Sequence, residues 1–200
     1  MRILVTGATG QIGAALVPRL AGLGTVVAPN RSEFDLARPA EIADRLERIS
    51  PHLIINCAGY TNVEKAEDER DQAFTVNAAS PGAIAQWAAP HRVSLIHLST
   101  DYVFDGSGDR PWREHDPTVP LSAYGASKLA GEKSVQAASG SHLIVRTSWI
   151  YAAEGRNFLR TIASLAAQRS ELRVVADQVG APTSAAVVAN GLVQILHAPS

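Results

Sequence analysis

Cysteine is almost absent from this sequence, which contains one such residue, Cys57, among its 200. A single cysteine excludes an internal disulfide framework and is typical of a chain kept in a reducing compartment, so we expect a cytoplasmic protein. Cys57 lies inside the apolar run "LIINCAG". We interpret it as a small buried apolar residue rather than as a nucleophile.

An excess of either charge is lacking as well. The 18 Lys and Arg residues nearly balance the 19 Asp and Glu residues, and they are scattered along the chain. This balance argues against a nucleic acid or an anionic membrane as partner, because both require a basic face. The amino-terminal stretch "MRILVTGATG" contains only a short apolar run, too short for a signal peptide or a bilayer span. We therefore expect a small molecule as partner.

Short β-branched segments alternate with longer alanine-rich segments along the whole chain. The strand-like segments are "RILVT", "TVVAP", "HLIIN", "VSLIHLS", "HLIVRTS" and "LRVVA". Continuous apolar strands separated by helices are typical of a parallel sheet that is covered on both faces. The sequence therefore predicts an α/β fold of about six units with a doubly wound parallel sheet of the Rossmann type.

Three glycines, Gly7, Gly10 and Gly13, follow the first strand and begin the first helix in "TGATGQIG". Such a junction needs a residue without Cβ in the turn, and it brings backbone amides close to a pyrophosphate. We interpret 1–200 as one dinucleotide-binding domain, with Gln11 and Ile12 of this loop also at the cofactor. A plain tight turn is the alternative reading of the glycines.

The second strand leads into "APNRSEFDL", where Asn30 and Arg31 stand in place of an acidic residue. An acidic residue there would accept the ribose hydroxyls of NAD, whereas a guanidinium suits a 2′-phosphate. The sequence thus favours NADPH, with NADH as the alternative. Arg31 is equally compatible with an ordinary solvated surface residue.

Tyr124 and Lys128 lie four residues apart in "YGASK" and hence on one face of a helix. A nearby ammonium favours the phenolate and lowers the pKa of a phenol from its ordinary value near 10. The pair would form a usable general acid, and we expect Lys128 to lower the pKa of Tyr124. A chance surface Tyr and Lys is the alternative.

The glycine loop, "NCAG" after the third strand, "STD" after the fourth and the Tyr-Lys pair occur in one order. Together they resemble the short-chain dehydrogenase/reductase superfamily in its extended branch, which acts on nucleotide sugars. The resemblance implies a catalytic trio of Thr100, Tyr124 and Lys128. Thr100 would donate a hydrogen bond to the reacting carbonyl oxygen, Tyr124 would donate the proton, and Lys128 would bind the nicotinamide ribose. It also places Asn77 in a water-mediated proton relay. The alternative is that Asn77 lies on a helix surface or caps a helix.

Longer stretches resemble the dTDP-4-dehydrorhamnose reductase family: "AGYTNVEKAEDERDQAFTVNA", "HLSTDYVFDGSGDRPWREHDPTVPLSAYGASKLAGEK", "RTSWIYAAEGRNF" and "DQVGAPTS". The resemblance implies hydride delivery from a nicotinamide to C4 of a 4-keto-6-deoxy sugar nucleotide, with Tyr124 as the proton donor. The substrate would contact Thr100, Asp101, Tyr102, Tyr124 and Trp149. The cofactor would contact Asp35, Leu36, Gly59, Tyr60 and Thr61 in addition to Lys128.

Two departures from that family pattern affect the expectations. Some members dimerise around a magnesium ion held by glutamates, but Ala15 and Ala186 stand at those positions here. We expect no metal site and no metal-bridged dimer, and the oligomeric state stays open. Family members also continue for about another domain. We therefore expect the substrate lobe to be largely absent from 1–200, which would bind NADPH with little or no turnover.

Two other functions remain open at the level of sequence. One is a non-catalytic NADP-binding regulatory subunit, such as the regulatory partner of methionine adenosyltransferase, which need not keep all three residues of the trio. The other is a different nucleotide-sugar enzyme, an epimerase, reductase or dehydratase. A dehydratase would place an Asp-Glu pair beside the threonine, whereas Thr100 is followed by Asp101 and Tyr102.

Overall fold

A computed structural model describes residues 1–155 and 157–197, and its centre is a sheet of five parallel strands. The strands are β1 (Arg2–Thr6), β2 (Thr25–Val27), β3 (Leu53–Asn56), β4 (Ser94–Thr100) and β5 (His142–Thr147). Their order across the sheet is β2-β1-β3-β4-β5. The doubly wound α/β prediction is therefore confirmed. Two further short strands, β6 (Ile150–Tyr151) and β7 (Thr183–Ser184), pair in parallel beside it.

Helices connect the strands and cover both faces of the sheet. They are α1 (Gln11–Leu16), α2 (Ile42–Ile49), α3 (Lys65–Asp68), α4 (Arg70–Phe74), α5 (Ser80–Ala88), α6 (Ala123–Ala137), α7 (Phe158–Ala166) and α8 (Ala185–His197). A π-helical turn, Thr75–Ala79, joins α4 to α5. None of the helices within the described ranges is long and apolar enough to span a membrane.

Alternation along the strands divides the core into two layers. Leu4 and Ile54 pack with Ile84 of α5 on one face, whereas Ile3 and Ile55 pack on the other face against a layer that includes Leu192 of α8. All six side chains are fully buried or nearly so. Burial of both faces explains why the central strands contain runs of adjacent apolar residues instead of one at every second position.

The structure differs from the sequence-based predictions in one strand and one helix. The strand predicted from "LRVVA" does not form: 172–176 is irregular and mostly exposed, and β5 is the edge of the large sheet. A β-branched run needs a neighbouring strand or a covering layer to become a strand, and it has neither here. The helix α8 was not predicted at all, yet it covers one face of the sheet through Ala189 and Leu192.

The strand order places a crevice at the carboxyl edge of the sheet. The connection from β1 runs to β2 on one side, and β3 lies on the other side of β1. Ligands of open α/β sheets bind at such a reversal of strand order, beyond the carboxyl ends of the strands. The glycine turn after β1 and the polar "STD" end of β4 both lie at this edge.

The helix that carries Tyr124 and Lys128 lies unusually close to the π-helical turn. A Cβ added to Gly131 of α6 would overlap the carbonyl oxygen of Asn77 in that turn. π-Turns of this kind are frequent at functional sites. Only glycine permits this approach of the two backbones, so Gly131 fixes the distance between α6 and the turn.

Gly131→Ala is expected to lower the free energy of unfolding by about 1–3 kcal/mol, because the methyl group must displace one of two packed backbones. Gly191→Ala in α8 is the matched control, since a Cβ there meets nothing within 4 Å. That change should raise the free energy of unfolding by roughly 0.5–1 kcal/mol through the helix preference of alanine. Urea denaturation measures both, and equal effects of the two substitutions would contradict the close approach.

Candidate active site

A cleft of about 800 Å³ opens at the carboxyl edge of the sheet. Nearly all the residues predicted for cofactor or substrate line it: Gly7, Gly10, Gln11, Ile12, Asn30, Arg31, Asp35, Leu36, Gly59, Tyr60, Thr61, Thr100, Asp101, Tyr102, Tyr124, Lys128 and Trp149. The structure thus brings together residues that lie as far apart in the sequence as Gly7 and Trp149. The volume is in the range of small-molecule and cofactor sites.

The glycine turn fits a ligand that must approach the backbone closely. Gly7 has a φ of +69°, and a Cβ on it would lie 2.6 Å from the amide nitrogen of Ala58. The amide of Gly10 donates to the carbonyl of Gly7 at 2.9 Å and closes the turn. Gly13, the third predicted glycine, does not line the cleft. A Cβ there would overlap the Gly7 carbonyl, so Gly13 allows α1 to pack against the turn.

The segment after β2 forms one rim of the cleft. The carboxamide oxygen of Asn30 accepts from the amide (2.9 Å) and hydroxyl (2.6 Å) of Ser32, which closes a local turn. Arg31 is exposed, and its Nε lies 3.4 Å from the carboxylate of Asp35. Its guanidinium is therefore at the rim, partly neutralised by an acidic neighbour.

The loop after β3 is held by Asn77 of the π-helical turn. The Asn77 oxygen accepts from the Tyr60 amide at 2.8 Å, and its nitrogen donates to the Tyr60 carbonyl at 3.0 Å. The same nitrogen donates to the Ser127 hydroxyl at 2.9 Å. Both amide hydrogens of Asn77 therefore bind protein groups, and its side chain connects the cleft loop to α6. This geometry gives the Asn77 side chain a structural role, and the proton relay stays a prediction.

Thr100, Asp101 and Tyr124 form a polar group at the end of β4. The Thr100 hydroxyl accepts from the Tyr102 amide at 3.2 Å and lies 3.2 Å from the Asp101 carboxylate. The Tyr124 ring meets the Tyr102 ring edge to face, with the ring centres 5.6 Å apart. The Thr100 side chain is also within hydrogen-bond reach of the Tyr124 hydroxyl.

Burial raises the pKa of Tyr124 to about 12, against the opposing hydrogen bond from Thr100. The expected lowering by Lys128 is therefore wrong for this structure. The amino group of Lys128 donates to the Leu98 carbonyl at 2.6 Å, and the charges of Asp101 and Tyr102 act on Tyr124 in the raising direction. At neutral pH the phenol of Tyr124 consequently keeps its proton.

Lys128 forms the floor of the cleft and is 5 % exposed. Desolvation lowers its pKa to about 8, while the negative charge of Glu132 acts in the opposite direction. Cys57, directly after β3, and His97 of β4 lie close enough to be affected by its charge. Burial raises the pKa of the Cys57 thiol to about 12 and lowers that of His97, and the charge of Lys128 acts to lower both. Cys57 is thus protonated and is not a nucleophile.

A buried ion pair between Glu132 and Arg146 lies next to Lys128, and it was not predicted from the sequence. Glu132 is 1 % exposed, and its carboxylate accepts from Arg146 at 2.9 and 2.7 Å. The Ser99 hydroxyl donates to it at 2.5 Å. The spacing of Lys128 and Glu132, one helical turn apart in "KLAGE", is the signal that could have shown it.

The residues after β5 complete the other wall. The Ser148 hydroxyl donates to Asp101 at 2.6 Å and thereby holds a carboxylate that faces the cleft. Trp149 has a φ of +44°, rare for a bulky residue, and its ring lies directly against Gly180. It remains 42 % exposed. An indole held in a strained backbone at a cleft is a feature of ligand sites.

Two features of the cleft are suited to a dinucleotide. Its Gly7 turn admits a close approach, and the side-chain oxygen of Gln11 is buried without a hydrogen-bond partner in the described residues. Such an oxygen requires a donor from outside the protein. No group of three metal-binding side chains occurs within 1–155 and 157–197.

The parallel sheet, the glycine turn and the Tyr-Lys pair in one cleft agree with the resemblance to the extended class of short-chain dehydrogenases/reductases. Comparison with known proteins narrows the class. The model of the RmlD substrate binding domain family matches residues 1–200, and the chain belongs to this family.

Named relatives agree with this assignment. The chain is 48% identical to a dTDP-4-dehydrorhamnose reductase of Burkholderia thailandensis over 98% of its own length and 66% of that protein. It is 46% identical to one of Escherichia coli K12, over 95% and 65% of the two chains. It therefore spans just under two thirds of the curated relatives it matches. The predicted resemblance is confirmed.

Solved structures give the same result. A dTDP-4-dehydrorhamnose reductase of Clostridium acetobutylicum superposes with a TM-score of 0.93 at 38% identity, covering 98% of this chain and 70% of that one. One of Bacillus anthracis in complex with NADP gives a TM-score of 0.92 at 36% identity, with coverage of 98% and 71%.

Lys128→Met is expected to stabilise the fold at pH 7. A pKa lowered from 10.5 to about 8 means that the unfolded chain binds the proton more tightly than the folded one. The buried ammonium therefore costs about 3 kcal/mol below pH 8, a cost that disappears as the pH rises from 8 to 10.5. The apolar variant should be more stable by up to this amount at pH 7, and the difference should shrink towards pH 10.

Chemical denaturation at pH 7, 8.5 and 10 measures that difference. Lys133→Met on the exposed side of the same helix is the control and should change the free energy of unfolding by less than about 0.5 kcal/mol at each pH. A difference between Lys128→Met and the unsubstituted protein that stays constant with pH would contradict the burial of a charged Lys128.

Proposed function

We propose that this chain contributes to the NADPH-dependent reduction of dTDP-4-dehydrorhamnose to dTDP-L-rhamnose, and that it provides the cofactor site and the proton donor. The observation that carries the proposal is the placement of Thr100, Tyr124 and Lys128 in the same cleft as the glycine turn. The names of the relatives, and the NADP in the Bacillus anthracis structure, support the substrate and the cofactor.

The residues around the turn and the rim would hold the cofactor. Gly7 and Gly10 allow the pyrophosphate to approach the backbone, and the 59–61 loop lies along the same wall of the cleft. When bound, NADPH supplies a hydride to the carbonyl carbon of the substrate. Lys128, at the floor of the cleft, would bind the nicotinamide ribose through its ammonium.

Tyr124 would donate its phenolic proton to the carbonyl oxygen as the carbonyl becomes an alcohol. This role requires a protonated phenol, and Tyr124 keeps its proton at neutral pH because burial raises its pKa to about 12. Thr100 would hold the same oxygen through its hydroxyl, so that negative charge is stabilised as it forms.

The sugar would lie between Asp101, Tyr102 and Trp149. Asp101 accepts a hydrogen bond from Ser148 and keeps further lone pairs free for sugar hydroxyls. The exposed face of Trp149 offers a surface on which a sugar ring can pack. The partner of this chain is then a nucleotide sugar, and the single cysteine supports a cytoplasmic location.

Tyr124→Phe in the full-length protein should lower kcat by roughly 10²–10⁴-fold, because it removes the general acid and keeps the ring. The dissociation constant for NADPH should change less than twofold, since the ring packing is retained. NADPH oxidation at saturating substrate and a fluorescence titration measure the two quantities. A loss of kcat smaller than about tenfold would show that another group donates the proton.

Arg31→Asp should shift preference from NADPH towards NADH. The substitution removes the guanidinium that would contact a 2′-phosphate and places a carboxylate where it can accept from a ribose hydroxyl. Dissociation constants for both cofactors are measured in the original protein and the variant. An unchanged ratio of the two constants would mean that Arg31 serves only its ion pair with Asp35.

A further inference from the structure

The segment 63–69, "VEKAEDE", has no part in the function proposed above, although it lies beside the cleft. It forms α3 and the junction to α4, and the backbone leaves the helical conformation at Glu69, with φ −108° and ψ 42°. The junction separates two short helices that both face α6. Two of its carboxylates, those of Glu67 and Glu69, bind groups next to cleft residues; we call these two residues the acidic brace.

Glu67 binds the start of the helix that carries the proton donor. Its carboxylate accepts a hydrogen bond from the amide of Ala123 at 2.7 Å. Ala123 is the first residue of α6 and directly precedes Tyr124. The hydroxyl of Ser122 already accepts from the amide of Gly125 at 3.1 Å. The first turn of α6 is therefore capped twice, once from its own sequence and once from α3.

The placement of Glu67 is also favourable electrostatically. The amino end of a 15-residue helix carries a partial positive charge, which a carboxylate at its first amide complements. A nitrogen of the Arg70 guanidinium lies 3.5 Å from the same carboxylate. A helix start held in this way keeps the backbone of Tyr124 at a fixed position.

Glu69 binds the loop after β3, which lines the cleft. Its carboxylate accepts from the Tyr60 hydroxyl at 2.6 Å. The hydrogen bond favours the neutral phenol and raises the pKa of Tyr60 to about 12. Because Asn77 holds the Tyr60 backbone, Tyr60 is fixed at both its backbone and its hydroxyl.

Apolar packing joins the two carboxylate contacts. Ala66 of α3 and Ala73 of α4 are completely buried against Ala123 of α6. The rings of Tyr60 and Tyr124 both pack against this alanine cluster. Small side chains let the helices approach closely, so a shift of α3 or α4 would move both tyrosines.

We propose that the acidic brace is a positioning device, in which Glu67 places the proton donor Tyr124 and Glu69 places the cofactor-lining Tyr60. The proposal rests on the proposed function, since it assigns roles to both tyrosines there. The two carboxylates act through different partners. Loss of Glu67 therefore affects the chemical step, and loss of Glu69 affects the affinity for the dinucleotide.

The experiment uses the full-length protein with Glu67→Ala, Glu67→Gln, Glu69→Ala and Glu69→Gln. Each glutamine keeps a side-chain oxygen that can accept the same hydrogen bond, and each alanine removes it. Glu64→Ala is the matched control, because Glu64 is exposed on the same segment and makes no side-chain cap hydrogen bond. For every variant we would measure kcat with dTDP-4-dehydrorhamnose, the dissociation constant for NADPH, and the urea midpoint.

Glu67→Ala is expected to lower kcat roughly 10- to 100-fold, as a small displacement of a catalytic group can. Its NADPH dissociation constant should stay within about twofold, and Glu67→Gln should regain most of kcat. Glu69→Ala should raise the NADPH dissociation constant roughly fivefold or more and change kcat at saturating NADPH little. Combining Tyr60→Phe with Glu69→Ala should raise the NADPH dissociation constant no further than Glu69→Ala alone. Both substitutions remove the same hydrogen bond, the one from the Tyr60 hydroxyl to the Glu69 carboxylate.

If Glu67→Ala and Glu69→Ala each lower both kcat and the affinity for NADPH, the proposal is overturned. A general loss of structure would lower both quantities together in each variant. Values equal to those of Glu64→Ala would also overturn it. An unsubstituted protein without turnover would contradict the proposed function instead. The Glu69 prediction would still be decided in that case, because it is measured by NADPH binding alone.

Discussion

The burial of the Lys128 ammonium at the floor of the cleft is the constraint on which the rest of the site depends. A charge that has left water needs hydrogen bonds and counter-charges nearby. The Leu98 carbonyl provides the first at 2.6 Å, and Glu132, held by Arg146 and Ser99, provides the second. The end of β4, the middle of α6 and β5 are thereby joined around one side chain.

Helix α6 carries this charge and the proposed proton donor together, and it is fixed along its length. Glu67 caps its first turn, Gly131 brings its middle against the π-helical turn, and Glu132 binds β5 through Arg146. Burial raises the pKa of Tyr124 to about 12, so the phenol is protonated at neutral pH. In the proposed mechanism this fixed helix would supply the orientation that proton transfer needs.

Local patterns in the sequence predicted much of this structure. The four-residue spacing of Tyr124 and Lys128 and the glycine turn after β1 depend on helix periodicity and on one turn, so they can be read from a few residues. The apolar strands predicted the parallel sheet for the same reason. The strand predicted at 172–176 was wrong because strand formation there depends on a neighbouring strand, which local β propensity does not reveal.

Contacts between distant segments account for what the sequence did not reveal. The pKa of Tyr124 depends on where the Lys128 amino group points, and the role of Asn77 in holding the loop depends on contacts with Tyr60, 17 residues away. The Glu132–Arg146 pair and the acidic brace likewise join residues from separate elements. Only the folded chain shows which of many charged residues meet.

The pH dependence of kcat/KM in the full-length protein would show whether a protonated Tyr124 and a charged Lys128 carry the proposed reaction. Burial raises the pKa of Tyr124 to about 12 and lowers that of Lys128 to about 8. With these roles, kcat/KM for the reduction of dTDP-4-dehydrorhamnose by NADPH is expected to be level from pH 6 to 7 and to fall as the pH rises through 8. A value of kcat/KM that rises through pH 8 would require a deprotonated group to act and would contradict both roles.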